Sequence, residues 1–213
     1  MPVLVGVLAQ KGGVGKSMVC RLFTTEYARM GWKVLIADMD TSQSTSFEWN
    51  ALRNQYNIEP KLDVHRFNTV DRVLKIADNY DLVAFDGAPH ATRITQQIAH
   101  ACDLVLLPTG SSLEDLNPQI RLAHELKEYG VPQAKIAFVL SRIGGSKVEL
   151  QEVLTYLRFT NYFILTGQLP EQTAFRQAVR EGKSAGETKF ARLSERCDQL
   201  VQSIVDRIKE LNK

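Results

Sequence analysis

Seven consecutive residues, KGGVGKS from Lys11 to Ser17, bring together three glycines, two lysines and a serine hydroxyl. Gly12, Gly13 and Gly15 let the backbone curl tightly and carry its N–H groups up to an anion. The apolar run Val3 to Leu8 leads into this loop and a helical pattern starts at Lys16. The helix then adds its positive N-terminal end. In that context Lys16 reaches the β- and γ-phosphates of a nucleoside triphosphate, and the Ser17 hydroxyl ligates Mg²⁺. The nucleotide contacts expected from the loop are Lys11, Gly12, Gly13, Val14, Gly15, Lys16, Ser17 and Met18.

Three carboxylates follow apolar strands. Asp38 and Asp40 stand two apart after Lys33 to Ala37, a spacing that points both to one side. Asp86 closes Leu82 to Phe85 and opens an Asp-Gly pair. Such a pair also marks ordinary turns, but beside a phosphate loop it favours a metal role. Phosphoryl transfer is mainly positioning and charge stabilisation, so carboxylates near a γ-phosphate have a clear task.

These residues need a scaffold. Strand-like runs at Val3 to Leu8, Lys33 to Ala37, Leu62 to Phe67, Leu82 to Phe85, Leu104 to Leu107, Lys135 to Leu140 and Tyr162 to Leu165 alternate with helical patterns. The helices expected are Lys16 to Met30, Phe47 to Gln55, Thr69 to Asn79, Ala91 to Ala101, Glu114 to Tyr129, Lys147 to Arg158 and Glu187 to Leu211. Pro108 should stop the fifth strand, and Gly182 to Gly186 should turn the chain. Continuous apolar strands alternating with helices predict an α/β fold, a mostly parallel twisted sheet with helices on both faces. Right-handed crossovers gather the strands' C-terminal ends, and with them the loop and the three carboxylates, along one edge. Residues 1–213 read as a single domain without internal repeats.

Composition narrows the class. Lysine and arginine total 26 against 24 acids, a net charge of +2 that requires any anion-binding surface to be a local patch. Three separated cysteines suggest no disulfide framework and a reducing, cytoplasmic setting. The four histidines lack metal-ligand spacing with them. The apolar start lacks a basic leader, and no apolar run reaches the roughly 18 residues that span a bilayer.

KGGVGKS resembles the deviant Walker A motif of the ParA/MinD family of positioning ATPases, a P-loop NTPase family. The usual P-loop glycine is replaced by Gln10, and Lys11 is the added lysine. The resemblance implies that Lys11 crosses an ATP-bound dimer interface to the partner's phosphates. It implies that Asp38 supports Mg²⁺ through its water shell, that Asp40 orients the attacking water, and that Asp86 is the Walker B aspartate. The family's Pro-Gln after the second aspartate is absent, the run here being Asp40-Thr41-Ser42-Gln43. DLVLLPTGSSLEDL from Asp103, VLSRIGG from Val139 and LPEQTAFRQAVREGKSAGE from Leu169 extend the likeness over nearly the whole chain. In that frame Ser141 and Arg142 border the adenine, and Met18 replaces a common threonine. No helix-turn-helix extension precedes the loop, as in the small ParA class.

ParA-type members bind non-specific DNA as ATP dimers and release it when a ParB-like or other partner stimulates hydrolysis, so plasmid or chromosome partition on the nucleoid is the expectation. Arg158, Arg176, Arg180 and Lys183 are the candidate phosphate contacts, interleaved with acids such as Glu181. The alternatives are positioning of a protein cargo, a MinD-like membrane-associated ATPase, and a metabolic P-loop ligase. The C-terminal stripe Leu200, Ile204, Ile208 and Leu211 carries mixed charges beside it, a pattern that favours core packing over a membrane surface.

Overall fold

The computed structural model describes residues 1–90 and 92–212. Among these residues seven strands form one sheet: β1 (Val3–Ala9), β2 (Val34–Asp38), β3 (Asp63–Arg66), β4 (Leu82–Pro89), β5 (Leu104–Thr109), β6 (Ile136–Ile143) and β7 (Phe163–Pro170). Their order is β3-β2-β4-β1-β5-β6-β7, and every pairing among the described residues is parallel. The chain builds from β1 outward through β2 and β3, returns to β4 beside β1, then builds the other way from β5. This reversal makes β1 and β4 the place where an open parallel sheet offers a crevice to ligands.

Among the described residues eight α-helices flank the sheet: α1 (Lys16–Arg29), α2 (Thr45–Gln55), α3 (Val70–Ala77), α4 (Arg93–Ala101), α5 (Leu113–Glu128), α6 (Lys147–Arg158), α7 (Thr173–Arg180) and α8 (Ala191–Leu211). Alternation along the strands sorts the core into two layers. Val5, Val7, Ile36, Ala84, Leu106 and Val139 face α1, α2, α7 and α8. Leu8, Leu35, Val83, Phe85, Leu107 and Phe138 face α3 to α6. Because both faces are covered, β2 and β5 are buried at every residue, which is why they read as unbroken apolar runs. Each fully buried Leu or Phe here contributes about 1.5–3 kcal/mol. Leu200, Ile204 and Ile208 of α8 are buried in the first layer, so the C-terminal stripe is spent on the core.

The boundaries depart from the expectations in physically telling places. β4 runs on past Phe85 to Pro89, carrying Asp86 inside the strand rather than at its end. β5 runs through Pro108 to Thr109, because β1 pairs with it only as far as Leu106 and one flank of Pro108 has no ladder to complete. β7 reaches Pro170 rather than Leu165. Residues 185–187 form a 3₁₀ turn with a Ser184/Glu187 capping box, which delays α8 to Ala191. The expected start of α4 at Ala91 lies outside the described residues, and its Thr92 cap accepts from Thr95 N.

Candidate nucleotide and metal site

β1 ends on buried Ala9, and the chain then turns through Gly13 (φ 84°) and Gly15 (φ 99°), left-handed conformations that favour glycine. Gly15 is the N-cap of α1 and offers it no side-chain hydrogen bond. No acid stands in the first turn of α1. The orphan N–H groups and the positive helix end therefore remain available to an anion. A Cβ on Gly15 would lie 2.3 Å from Ser141 Oγ, so the loop also needs glycine for space.

Residues beyond the loop clamp it. Arg142, at φ 57°, donates from Nη1 to Gly13 O and from Nε to Glu171 Oε2 at 2.6 Å. Glu171 also pairs with Arg176. Arg142 lines the cleft. Ser141 does not: it is fully buried behind Gly15, with its Oγ unpartnered. The Val14 side chain is buried too.

The carboxylates divide by burial. Asp38 and Asp86 pair in register on β2 and β4. Asp38 is wholly buried; Oδ2 accepts from Ser46 N (2.9 Å) and Phe47 N (3.0 Å), and Oδ1 from Asp40 N (3.2 Å). It caps the N-terminus of α2. Burial first, and then the neighbouring Asp86, push its pKa up to about 6 against the pull of those N–H groups. Asp38 was expected in a metal's water shell; in the structure it lies beneath the cleft rather than on its lining. Both its oxygens serve backbone N–H groups, and it acts on the site by holding α2.

Asp86 is different. Its Oδ2 accepts from Ser46 Oγ at 2.6 Å, while Oδ1 is buried without a partner. An orphaned carboxylate oxygen in a cleft is costly unless a cation or water completes it. Ser17 Oγ lies 3.1 Å from Thr45 Oγ1 in the same cleft. This donor set of hard oxygens suits Mg²⁺. Lys16 is 8% exposed; burial lowers its pKa, while Asp86 and Asp40 raise it. A poorly hydrated ammonium in front of an open cleft is ready for phosphate oxygens.

Asp40 is half-buried on the cleft wall. Its Oδ1 accepts from Ser42 Oγ (2.6 Å), Ser42 N (3.2 Å) and Gln43 N (3.0 Å). Burial raises its pKa, but these bonds and the Lys16 charge outweigh it and leave the carboxyl below the usual range. Thr41-Ser42 therefore does not leave Asp40 loose; the serine holds it.

α2 ties this centre to a distant loop. Ser46 Oγ accepts from Arg21 Nε at 3.0 Å. The Arg21 and Arg53 guanidiniums lie 5.3 and 5.6 Å from the Trp49 ring centre. Trp49 Nε1 donates to Lys183 O, and buried Arg53 pairs with Glu187 at 2.7 Å. Gly182 (φ 73°) admits the contact, since a Cβ there would stand 2.7 Å from Arg53 N.

The four candidate DNA contacts do not form one surface. Arg158 ends α6, on the opposite sheet face from α7. Arg176 and Arg180 are exposed on α7 and border the cleft, Arg176 being paired with Glu171. Lys183 pairs with Glu181 at 2.8 Å. The cleft that Arg176 and Arg180 share with the phosphate loop holds about 520 Å³, within the range of small-ligand sites.

The family model described as the CobQ/CobB/MinD/ParA nucleotide binding domain matches residues 5–185. The chain belongs to this family. A curated relative, Protein ParA of Rhizobium radiobacter, is 32% identical over 108 residues, 51% of this chain. The chain spans about half the length of that relative, 48% of it. Solved ParA/MinD-family structures share the fold. Apo McdA of Cyanothece has a TM-score of 0.76 at 16% identity, covering 96% of this chain and 100% of McdA. A Borrelia burgdorferi plasmid partition protein bound to AMPPNP scores 0.74 at 15% identity, covering 97% and 100%. MinD of Pyrococcus horikoshii with Mg-ADP scores 0.71 at 18% identity, covering 96% of each chain.

Ser42, Ser46, Thr45, Asp115 and Glu171 hold the candidate residues Asp40, Asp86, Ser17, Lys11 and Arg142 and were not among those expected. Two of them carried a local signal, the Thr45-x-x-Glu48 and Ser112-x-x-Asp115 spacings of helix starts after strands.

Proposed function

We propose that this ParA/MinD-family chain is a cytoplasmic single-domain ATPase switch for DNA partition. On this reading it binds ATP and Mg²⁺ and pairs face to face with a second copy through Lys11. It then holds non-specific DNA until a ParB-like partner stimulates hydrolysis. The observation that carries the ATPase reading is the unpartnered Asp86 oxygen in the cleft that Gly15, Lys16 and Ser17 share. The loop's N–H groups and Lys16 hold the phosphates. Ser17 and Asp86, with Thr45 at hand, hold Mg²⁺, which when bound neutralises charge on the β- and γ-oxygens. Asp40, gripped by Ser42, presents a carboxylate where it orients water towards the γ-phosphate. Asp38 keeps α2 in register with these groups.

The partition role draws support from the ParA relative and from the exposed cations Arg176, Arg180, Arg192 and Arg196. They suit phosphate contacts without base reading. Arg158 belongs to the other face and is set apart from this group. A second reading, positioning of a protein cargo, rests on the fold shared with McdA. Membrane attachment through the C-terminal stripe is disfavoured by its burial, and no helix among the described residues is long and apolar enough to cross a membrane.

Binding to random-sequence duplex DNA, with ATP against ADP over a salt series and anionic liposomes in parallel, separates these readings. ATP-dependent, salt-sensitive DNA binding supports partition. No DNA binding in either state removes it and moves attention to a protein cargo or a lipid surface.

A further inference from the structure

Lys11 is not free in this structure. Its Nζ donates to Asp115 Oδ1 of the same chain at 2.8 Å. Asp115 lies in the first turn of α5, directly after β5, and β5 is the neighbour of β1. Sheet order therefore brings together two residues 104 positions apart.

The two partners are held unequally. The Asp115 amide donates to Ser112 Oγ at 3.2 Å, and Gly110 passes so close that a Cβ there would lie 2.4 Å from Asp115 Oδ2. The backbone of Asp115 is thus held by its turn, and its carboxylate, 27% exposed, sits against Gly110. Lys11 is 45% exposed at the end of a flexible stem and can swing away. Arg142 also feels Asp115: Glu171 dominates the rise in its pKa, and Asp115 adds to it. The carboxylate keeps a cationic neighbour if the lysine departs.

We propose that Asp115 is a latch that folds Lys11 back onto its own chain, and that opening this ion pair is a step in the ATP-driven pairing of two copies. This rests on the reading of Lys11 as a residue that crosses to a partner. A single carboxylate competes with a bound triphosphate for the ammonium. The triphosphate carries more charge than a diphosphate, so the latch opposes pairing of empty and ADP-bound chains more than of ATP-bound ones. Two-fold pairing opens two latches, and the effect on the dimer constant enters twice.

Sedimentation velocity in Mg²⁺ and a non-hydrolysable ATP analogue tests this with wild type, Asp115→Asn, Asp115→Glu and Lys11→Ala. Asp115→Asn keeps the shape and removes the charge. It should lower the dimer dissociation constant by roughly three- to tenfold, a modest gain because exposed ion pairs are weak. High salt should shrink the gain. Asp115→Glu keeps the charge and should return towards wild type. An unchanged or raised dissociation constant for Asp115→Asn, or equal effects of Asn and Glu, overturns the latch. The underlying reading fails separately, and the latch with it, if wild type stays monomeric or Lys11→Ala pairs equally well.

Discussion

Ser46 Oγ donates to Asp86 Oδ2 at 2.6 Å while accepting from Arg21 Nε at 3.0 Å. One hydroxyl at the start of α2 thereby joins a buried carboxylate to a buried guanidinium across the floor of the cleft. Its own amide binds Asp38. The helix that carries Ser46 is thus tied to Asp86 at one end and, through Trp49 and Arg53, to the Gly182–Glu187 loop at the other.

Ser46→Ala removes the bridge and leaves Asp86 Oδ2 and Arg21 Nε buried without each other's intermediary. Unfolding in urea should show a loss of about 1–3 kcal/mol, the cost of stranded buried polar groups. An unchanged midpoint and slope would show that the bridge holds nothing together.

Asp40→Ala should retain ATP and pair with a second copy but hydrolyse poorly. Ser42→Ala is the finer test, because it removes one grip on Asp40 Oδ1 and leaves the carboxylate in place. Steady-state hydrolysis should lose roughly three- to tenfold in kcat with KM little changed, the pattern of a misplaced group rather than a lost binding contact. Wild-type turnover in Asp40→Ala would refute the role given to Asp40.

Asp38 gives the nucleotide-free protein a pH signature. Its folded pKa is raised from 3.8 to about 6, so between these values the folded state binds more protons than the unfolded chain. Its contribution to stability is fully present below about 3.8 and is lost as pH rises through about 6. Urea denaturation at intervals from pH 4 to 7 should show this falling component. Asp38→Asn, which cannot titrate, should flatten it, and an identical pH dependence in the variant would contradict the assignment.

The phosphate loop was legible because its chemistry is contiguous: Gly12 to Ser17 need only the strand before and the helix after. The parallel sheet was legible because two-sided burial writes unbroken apolar runs such as Leu104 to Leu107. What escaped depends on sheet order. Lys11 meets Asp115 only because β5 lies beside β1, and Arg142 meets Glu171 only because β6 lies beside β7. Arg158 looked like a companion of Arg176 along the sequence, yet the crossover from β6 to β7 puts α6 on the other face. Asp38 and Asp40 share a side by spacing, but three backbone N–H groups hold Asp38 inside while Asp40 stays on the cleft wall.

Calorimetric titration of Mg-ATP into wild type and Lys16→Ala decides whether this cleft is the nucleotide site. The wild type should show saturable binding at one site per chain. In the variant affinity should fall by at least about tenfold, the worth of a charge-assisted contact to phosphate. Equal affinity in the two proteins would contradict the site described here.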